Sequence, residues 1–554
     1  MRSYFNIAYR AILLTLIWFF NLSATPKLTV VMVIDQFAQD YIEKLQGNFN
    51  YAFKELLEKG INFTNAHHPH GTPTTATGHT ALNTGTFACK HGIVLNGWFD
   101  ENKKEVKCDG DDSKNSLTFD DHGLQKYGSS AKNIMVQGLT DNFLKKSKKN
   151  KSFSISYKSR AAIGMSGKNG CPIWFDKDDG IFTTSKAFLD KIPDWLLKFN
   201  KNKIMKKLTK NKKWKLLYPR DGKYYDFEYI DFHKDTNYKY AGYNESLILN
   251  DAVYTTTGYI DKSDKIKKRD YDGFLKTPFA NKLLLNTAKE CIKNNYDKAT
   301  ENLLLWVSLS PLDALGHIYG PQSLEVTDMI YQLDKQIGDF WNYLKTTFGE
   351  ENILFILTAD HGVEPLVEVM QKSDIKAYRI NVNDILIEMN EFIQKKYAIN
   401  DLVMAFKTSQ FYFDKDKIEK LDNDKKEAII KDLKNIILSK KGVRYVWSYD
   451  ELSNMNCKFD SFENFYKQQL YPSRSGDLIC MPKKYSTFTK HIYGTGHRSA
   501  YSYNTKVPLI IYQKGQFENK KKDEKVWIPQ LPVTIANILE IEKPLASEFL
   551  PLSF

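Results

Sequence analysis

The sequence predicts an α/β fold: a mostly parallel central sheet with helices on both faces and inserted cap or subdomain segments. Two observations predict it. Short apolar runs rich in β-branched residues recur along the chain, and helical stretches separate them, the alternation that builds an open sheet with helices around it. A third observation concerns function. The polar residues with the most chemical potential stand just beyond the apolar runs, where open α/β sheets gather their ligands.

From the N-terminus, Arg2 and Arg10 accompany an apolar stretch from Ala11 to Phe20 that ends in Asn21, Leu22, Ser23 and Ala24 before Thr25-Pro26. This is a signal-peptide pattern over residues 1–24, too short to span a bilayer, which needs about 20 apolar residues. The remaining chain, 25–554, is expected to be exported to the periplasm or secreted, with no stable membrane association after cleavage. Buried parallel strands are expected at Leu28 to Ile34, Leu303 to Leu309, Ile353 to Leu357 and Val507 to Tyr512. The clearest helix starts after Ser323, an expected N-cap. It aligns Val326, Met329, Ile330, Leu333, Ile337, Phe340 and Leu344 on one face.

Two regions read as additions to the sheet. Residues 176–280 are rich in Lys, Tyr and Asp, include the basic run at 201–215, and predict a surface insertion. Residues 364–490 mix helix patterns (Lys425 to Leu438) with strand-like pieces (Phe411 to Phe413, Val443 to Trp447) and predict a small α+β insertion. The chain of 554 residues is 42% hydrophobic and 26% charged, which excludes global disorder. Its formal net charge of +13 suits an anionic substrate without requiring nucleic acid. Six cysteines without a C-x-x-C pair exclude a thiolate metal cluster. Cys89 and Cys108 bracket a short segment and are the expected disulfide, the alternative being two free buried thiols.

Asp35 follows the first strand in VVMVIDQ. Asp313 and His317 follow the Leu303 to Leu309 strand at a spacing that puts both on one side of a helical turn. Asp360 and His361 follow the strand ending at Leu357, and His497 precedes the strand near Val507. An Asp after a strand is usually a turn or helix cap, and a lone His is usually structural. Three carboxylates and three imidazoles at strand ends, however, supply the donors for two zinc-type sites without thiolates. The segment from Gly71 to Gly85 opens a helix after a turn, and a threonine hydroxyl at that opening would face phosphate beside backbone N–H groups. Thr75 is placed to do so, with Thr72, Thr74 and Thr77 as competitors on spacing alone. Phe153, Ile155 and Tyr157 alternate as in a strand. Lys158 and Arg160, one residue apart, are then expected to point to the same side.

The motifs VVMVIDQ, TATGHT, HGIVLNGWF, SYKSR, FLKTPFANKLLL, LSPLDALGHIYGP, TADHGV and GTGHRSAYSYNTKVPLIIY, spread over nearly the whole chain, resemble the alkaline phosphatase superfamily. The resemblance is greatest to the bacterial phosphate-irrepressible alkaline phosphatases, relatives of the nucleotide pyrophosphatase/phosphodiesterases. It implies a three-layer fold, two Zn²⁺ ions, and small phosphate-monoester substrates hydrolysed through a phosphothreonine. On matching positions it implies Thr75 as nucleophile and as a metal ligand, with Asp35, Asp360 and His361 on the zinc beside it and Asp313, His317 and His497 on the other. Asn96, Lys158 and Arg160 would contact phosphoryl oxygens. Thr77 stands where close relatives have proline, and His67, His68 and His70 form a loop cluster with no counterpart. A phosphodiesterase on the same metal core is the rival enzyme, and an exported binding protein without turnover is the rival of another class. A sulfatase is disfavoured because no Cys or Ser stands in a C/S-x-P-x-R context near Thr75.

Overall fold

A computed structural model describes residues 25–120, 125–202, 208, 214–220, 223–225, 273–516 and 519–554. The signal-peptide reading and most of the basic run at 201–215 lie outside these residues, as does 226–272 of the expected surface insertion. One ten-stranded sheet organises the molecule. Its strands are β1 (Leu28–Ile34), β2 (Ile61–His67), β3 (Lys151–Ser156), β4 (Cys171–Asp176), β5 (Ile181–Thr183), β6 (Leu303–Leu309), β7 (Ile353–Thr358), β8 (Lys506–Tyr512), β9 (Lys520–Lys522) and β10 (Val526–Trp527). Their order is β9-β2-β8-β7-β1-β6-β3-β4-β5, with β10 also paired to β2.

The five strands β7-β1-β6-β3-β4 are parallel. Every residue of β1, β6 and β7 is buried, which explains their continuous apolar runs: both faces are covered, so no alternation is selected. The expectation that Val507 to Tyr512 is a parallel strand is corrected, because β8 runs antiparallel to both β7 and β2. An apolar run carries no direction, and here direction follows from where the chain enters the sheet.

Helices important to the site are α1 (Thr75–Thr84), α2 (Ser159–Ser166), α3 (Pro278–Asn295), α4 (Pro311–Tyr319) and α5 (Leu324–Phe348). The Ser323 hydroxyl accepts from the Val326 amide at 3.2 Å and so caps α5, whose apolar stripe is buried. Two buried carboxylates of α5 pin neighbouring chain. Asp334 accepts from the amides of Asn50, Tyr51 and Phe53, and Asp328 accepts from Trp214 Nε1, Tyr225 O–H and the Leu217 amide. Part of the region predicted as a surface insertion therefore packs into the main core through Trp214 and Tyr225.

Residues within 364–490 form a four-stranded sheet of Val403–Lys407, Gln410–Phe413, Leu478–Pro482 and Val443–Ser448. Helices Val382–Tyr397 and Asn423–Leu438 share with it an apolar cluster built around Met389, Phe411, Leu433 and Cys480. The expected Cys89–Cys108 bridge is absent, and all six cysteines are free thiols. Cys89 Sγ donates to Gln468 Oε1 at 3.0 Å, whereas Cys108 is buried in a cluster with Trp98 and Ile134.

Candidate active site

The parallel strands deliver their C-terminal ends to one place. Asp35 leaves β1 with its amide bonded to the Leu309 carbonyl at the end of β6. Beyond β6, Pro311 starts α4, where its missing N–H costs nothing, and one turn later His317 Nε2 lies 3.1 Å from Asp313 Oδ1. Asp360 and His361 leave β7. His497 comes from the loop before β8, and its ring stacks on His361 with centroids 3.5 Å apart.

Two sets of ligand atoms converge: Asp35, Asp360 and His361 form one, and Asp313, His361 and His497 form the other. His317 belongs to neither set but adjoins Asp313. All three histidines use Nδ1 against a backbone carbonyl: His317 to Thr495 (2.9 Å), His361 to Gly362 (3.0 Å) and His497 to Pro73 (2.7 Å). For His361 and His497, whose pKa values burial lowers, that fixes the tautomer and leaves Nε2 with a lone pair. His361 Nε2 then faces Asp35 Oδ1 at 3.4 Å and Asp360 Oδ2 at 3.3 Å, and all three atoms are buried without a hydrogen-bond partner. Acceptors aimed at one another in the interior are unfavourable unless a cation lies between them. A divalent ion that accepts oxygen and imidazole fits this donor set.

The electrostatics agree. Burial, then the neighbouring charges of Asp313 and Asp360, push the Asp35 carboxyl well above its usual range, while Lys158 opposes them. Burial alone would also raise Asp313, but His317 and Lys158 hold it well below. His497 is held well below the usual imidazole range by burial and by its neighbours His361 and His317, so it stays neutral and able to ligate.

Thr75 is the first residue of α1, following Thr74 in extended conformation. The Lys158 ammonium contacts Thr75 Oγ1 at 3.2 Å, Asp313 Oδ2 at 2.5 Å, and Asp35. Asn96 Oδ1 accepts from the Ala76 amide at 2.9 Å, which docks the side chain on the first turn of α1. The expectation that Lys158 and Arg160 share a side by strand alternation is corrected. β3 ends at Ser156, Lys158 is the residue preceding α2, and Arg160 lies within that helix, half-buried with Nε unpartnered.

The model of the type I phosphodiesterase / nucleotide pyrophosphatase family matches residues 29–506. The chain belongs to this family. Alkaline phosphatase PafA of Elizabethkingia meningoseptica is 29% identical over 540 residues, covering 95% of this chain and 93% of PafA. Alkaline phosphatase PhoV of Synechococcus elongatus is 28% identical, covering 95% and 92%. The crystal structure of PafA superposes with a TM-score of 0.81 at 25% identity, covering 95% of this chain and 98% of that one. A PafA variant substituted at a threonine, an asparagine, a lysine and an arginine has the same fold match. Its four positions are separated by 21, 62 and 2 residues, the separations of Thr75, Asn96, Lys158 and Arg160 here.

Within this family member, residues not singled out from the sequence complete the site. Gln36 is buried with φ of 67°, a left-handed conformation. Its amide donates to Asp360 Oδ1 at 3.2 Å and its side-chain nitrogen to Asp313 Oδ1 at 2.8 Å. His79, one turn beyond Thr75, bonds the Thr75 carbonyl and Ser308 Oγ at 2.8 Å each, and lies 3.2 Å from Asp360 Oδ2. A Cβ at Gly78 would sit 2.3 Å from the Asp360 carbonyl oxygen, so α1 reaches the ligand loop only with glycine there. Gln36 and His79 lie inside VVMVIDQ and TATGHT, and motif membership was the available signal. Of the remaining histidines, His67 ends β2 rather than lying in a loop, and His68 and His70 are buried beyond it.

Proposed function

We propose that the protein is an exported alkaline phosphatase that hydrolyses small phosphate monoesters through a phosphothreonine on Thr75, using two zinc ions. The alkaline phosphatase names of PafA and PhoV support the reaction class. The observation that carries the reading is the Lys158 ammonium, 3.2 Å from Thr75 Oγ1, beside two converging sets of Asp and His. Asp35, Asp360 and His361 would hold one zinc, and Asp313, His317 and His497 the other. Bound there, the ions would supply positive charge to the attacking and departing oxygens and aid ionisation of a hydroxyl.

Thr75 Oγ, at the positive end of α1, loses its proton to solvent and forms a bond to phosphorus as the ester oxygen departs with its electron pair and takes up a proton from solvent. Water then displaces Thr75 from phosphorus, releasing phosphate and restoring the hydroxyl. Lys158 and Arg160 offer charge-assisted contacts to the non-bridging oxygens. Asn96, its Oδ1 held by Ala76, has its amide N–H groups left to donate.

A monoester dianion brings three non-bridging oxygens, whereas a diester brings two and less charge, so paired cations favour the monoester. Each contact removed costs about 1.5–3 kcal/mol, roughly ten- to a hundredfold in kcat/KM. The Lys158→Ala/Arg160→Ala enzyme should lose p-nitrophenyl phosphate hydrolysis far more than bis-p-nitrophenyl phosphate hydrolysis. Equal losses, or a wild-type enzyme that prefers the diester, would replace this reading with that of a phosphodiesterase.

A further inference from the structure

The segment 364–490 sends one side chain into the loop that precedes Thr75. Gln469, 3% exposed, gives all its hydrogen-bonding capacity but one lone pair to two other segments of backbone. Its Oε1 accepts from the Thr72 amide at 2.7 Å, and its Nε2 donates to the Thr72 carbonyl at 2.8 Å and to the Val94 carbonyl at 2.6 Å. Pairing with both groups of one residue fixes the orientation of that stretch of chain as well as its position. The Val94 carbonyl also accepts from Thr77 Oγ1 of α1 at 3.1 Å, and Thr77 in turn contacts Thr74 Oγ1 at 2.9 Å.

The spacing gives the arrangement its consequence. Thr75 lies three residues beyond Thr72, and Asn96 lies two beyond Val94, so Gln469 grips both segments just upstream of the groups assigned to phosphoryl contact. Helix Phe462–Lys467 supports the grip: the Gly71 amide donates to the Phe465 carbonyl at 3.1 Å, and a Cβ at Gly71 would lie 2.5 Å from the Tyr466 ring. We propose that Gln469 is a positioning residue that sets the separation between Thr75 and Asn96, making the inserted segment part of the phosphoryl-binding apparatus. This rests on the functional reading above, in which one phosphoryl group must reach both side chains. Misplacement by 1 Å costs about a hundredfold in rate.

The test compares Asn96→Ala, Gln469→Ala and the double variant on p-nitrophenyl phosphate at saturating zinc. Alongside it run zinc analysis, thermal melting and hydrogen exchange of wild type and Gln469→Ala. Gln469→Ala should lower kcat by about ten- to a hundredfold while keeping zinc content, with a lower melting temperature because the Thr72 and Val94 groups lose their partner. Amides of 72–78 and 94–98 should exchange faster, and the factor lost on Asn96→Ala should shrink in the Gln469→Ala background. An Asn96→Ala factor equal in both backgrounds, or unchanged exchange, overturns the proposal. Gln469→Met conserves side-chain bulk and replaces the alanine variant if that does not fold; failure of both to fold makes Gln469 merely structural and also overturns it. Full turnover by Thr75→Ala would sink the functional reading instead, and the exchange result is independent of that outcome.

Discussion

The molecule buries two groups of histidines that differ in their company. His361 and His497 lie among Asp35, Asp313 and Asp360, with Nδ1 tied to a backbone carbonyl and Nε2 turned towards a carboxylate. His67, His68, His70 and His91 are also buried, but among the described residues none pairs with a carboxylate. His67 is satisfied by Thr505 Oγ1 and Asn65 Oδ1, and His91 Nδ1 accepts from the Ile93 amide. Burial alone does not make an imidazole a ligand. Carboxylates facing Nε2 create the demand for a cation, whereas burial lowers the pKa of the rings in both groups.

Substitution at the first group should have the largest effect. His361 is common to both converging sets, so His361→Ala should remove bound metal and abolish turnover, whereas His91→Gln should keep both. Elemental analysis with phosphatase assay checks this, and metal retained at wild-type stoichiometry in His361→Ala would break the contrast. Thr75→Ala separates ligation from chemistry within the first group. Activity should fall by at least about a thousandfold with metal retained, and acid-quenched wild type should carry phosphate on Thr75. Phosphate found on Thr72, Thr74 or Thr77 would move the nucleophile.

What could be read beforehand follows the same division. The Asp360-His361 pair stood out because burying two polar groups at a strand end needs a partner, whereas Asp35, which alone reads as a turn or cap, stood out only through the combination. The α5 stripe and its Ser323 cap were visible because they are local patterns. Gln469 was not, because its significance comes from Thr72, 397 positions away, and nothing in its own neighbourhood marks it. The direction of β8 and the absence of a Cys89–Cys108 bridge are likewise not local patterns. Arg160 was expected to continue the strand alternation, because alternation through Tyr157 gave no sign that β3 stops at Ser156.

The smallest expected effect concerns the second group and appears in stability rather than turnover. Burial lowers the His91 pKa to about 3, and burial with the nearby Lys525 and Lys506 charges lowers that of His67 to about 3. An unfolded histidine takes up its proton near pH 6.5, so below that value the unfolded chain binds protons that the folded chain refuses. Both folded pKa values are depressed. The stabilising contribution is therefore complete above about pH 6.5 and is lost as pH falls towards 3. For His91 the loss by pH 5 is about 2 kcal/mol, from 1.36 kcal/mol per pH unit over the interval below 6.5. Glutamine keeps an acceptor available for the Ile93 amide and does not titrate. Urea unfolding of metal-free wild type and His91→Gln at pH 7.5 and pH 5 should show the variant losing about 2 kcal/mol less on acidification. Identical losses would mean that burial does not hold His91 neutral.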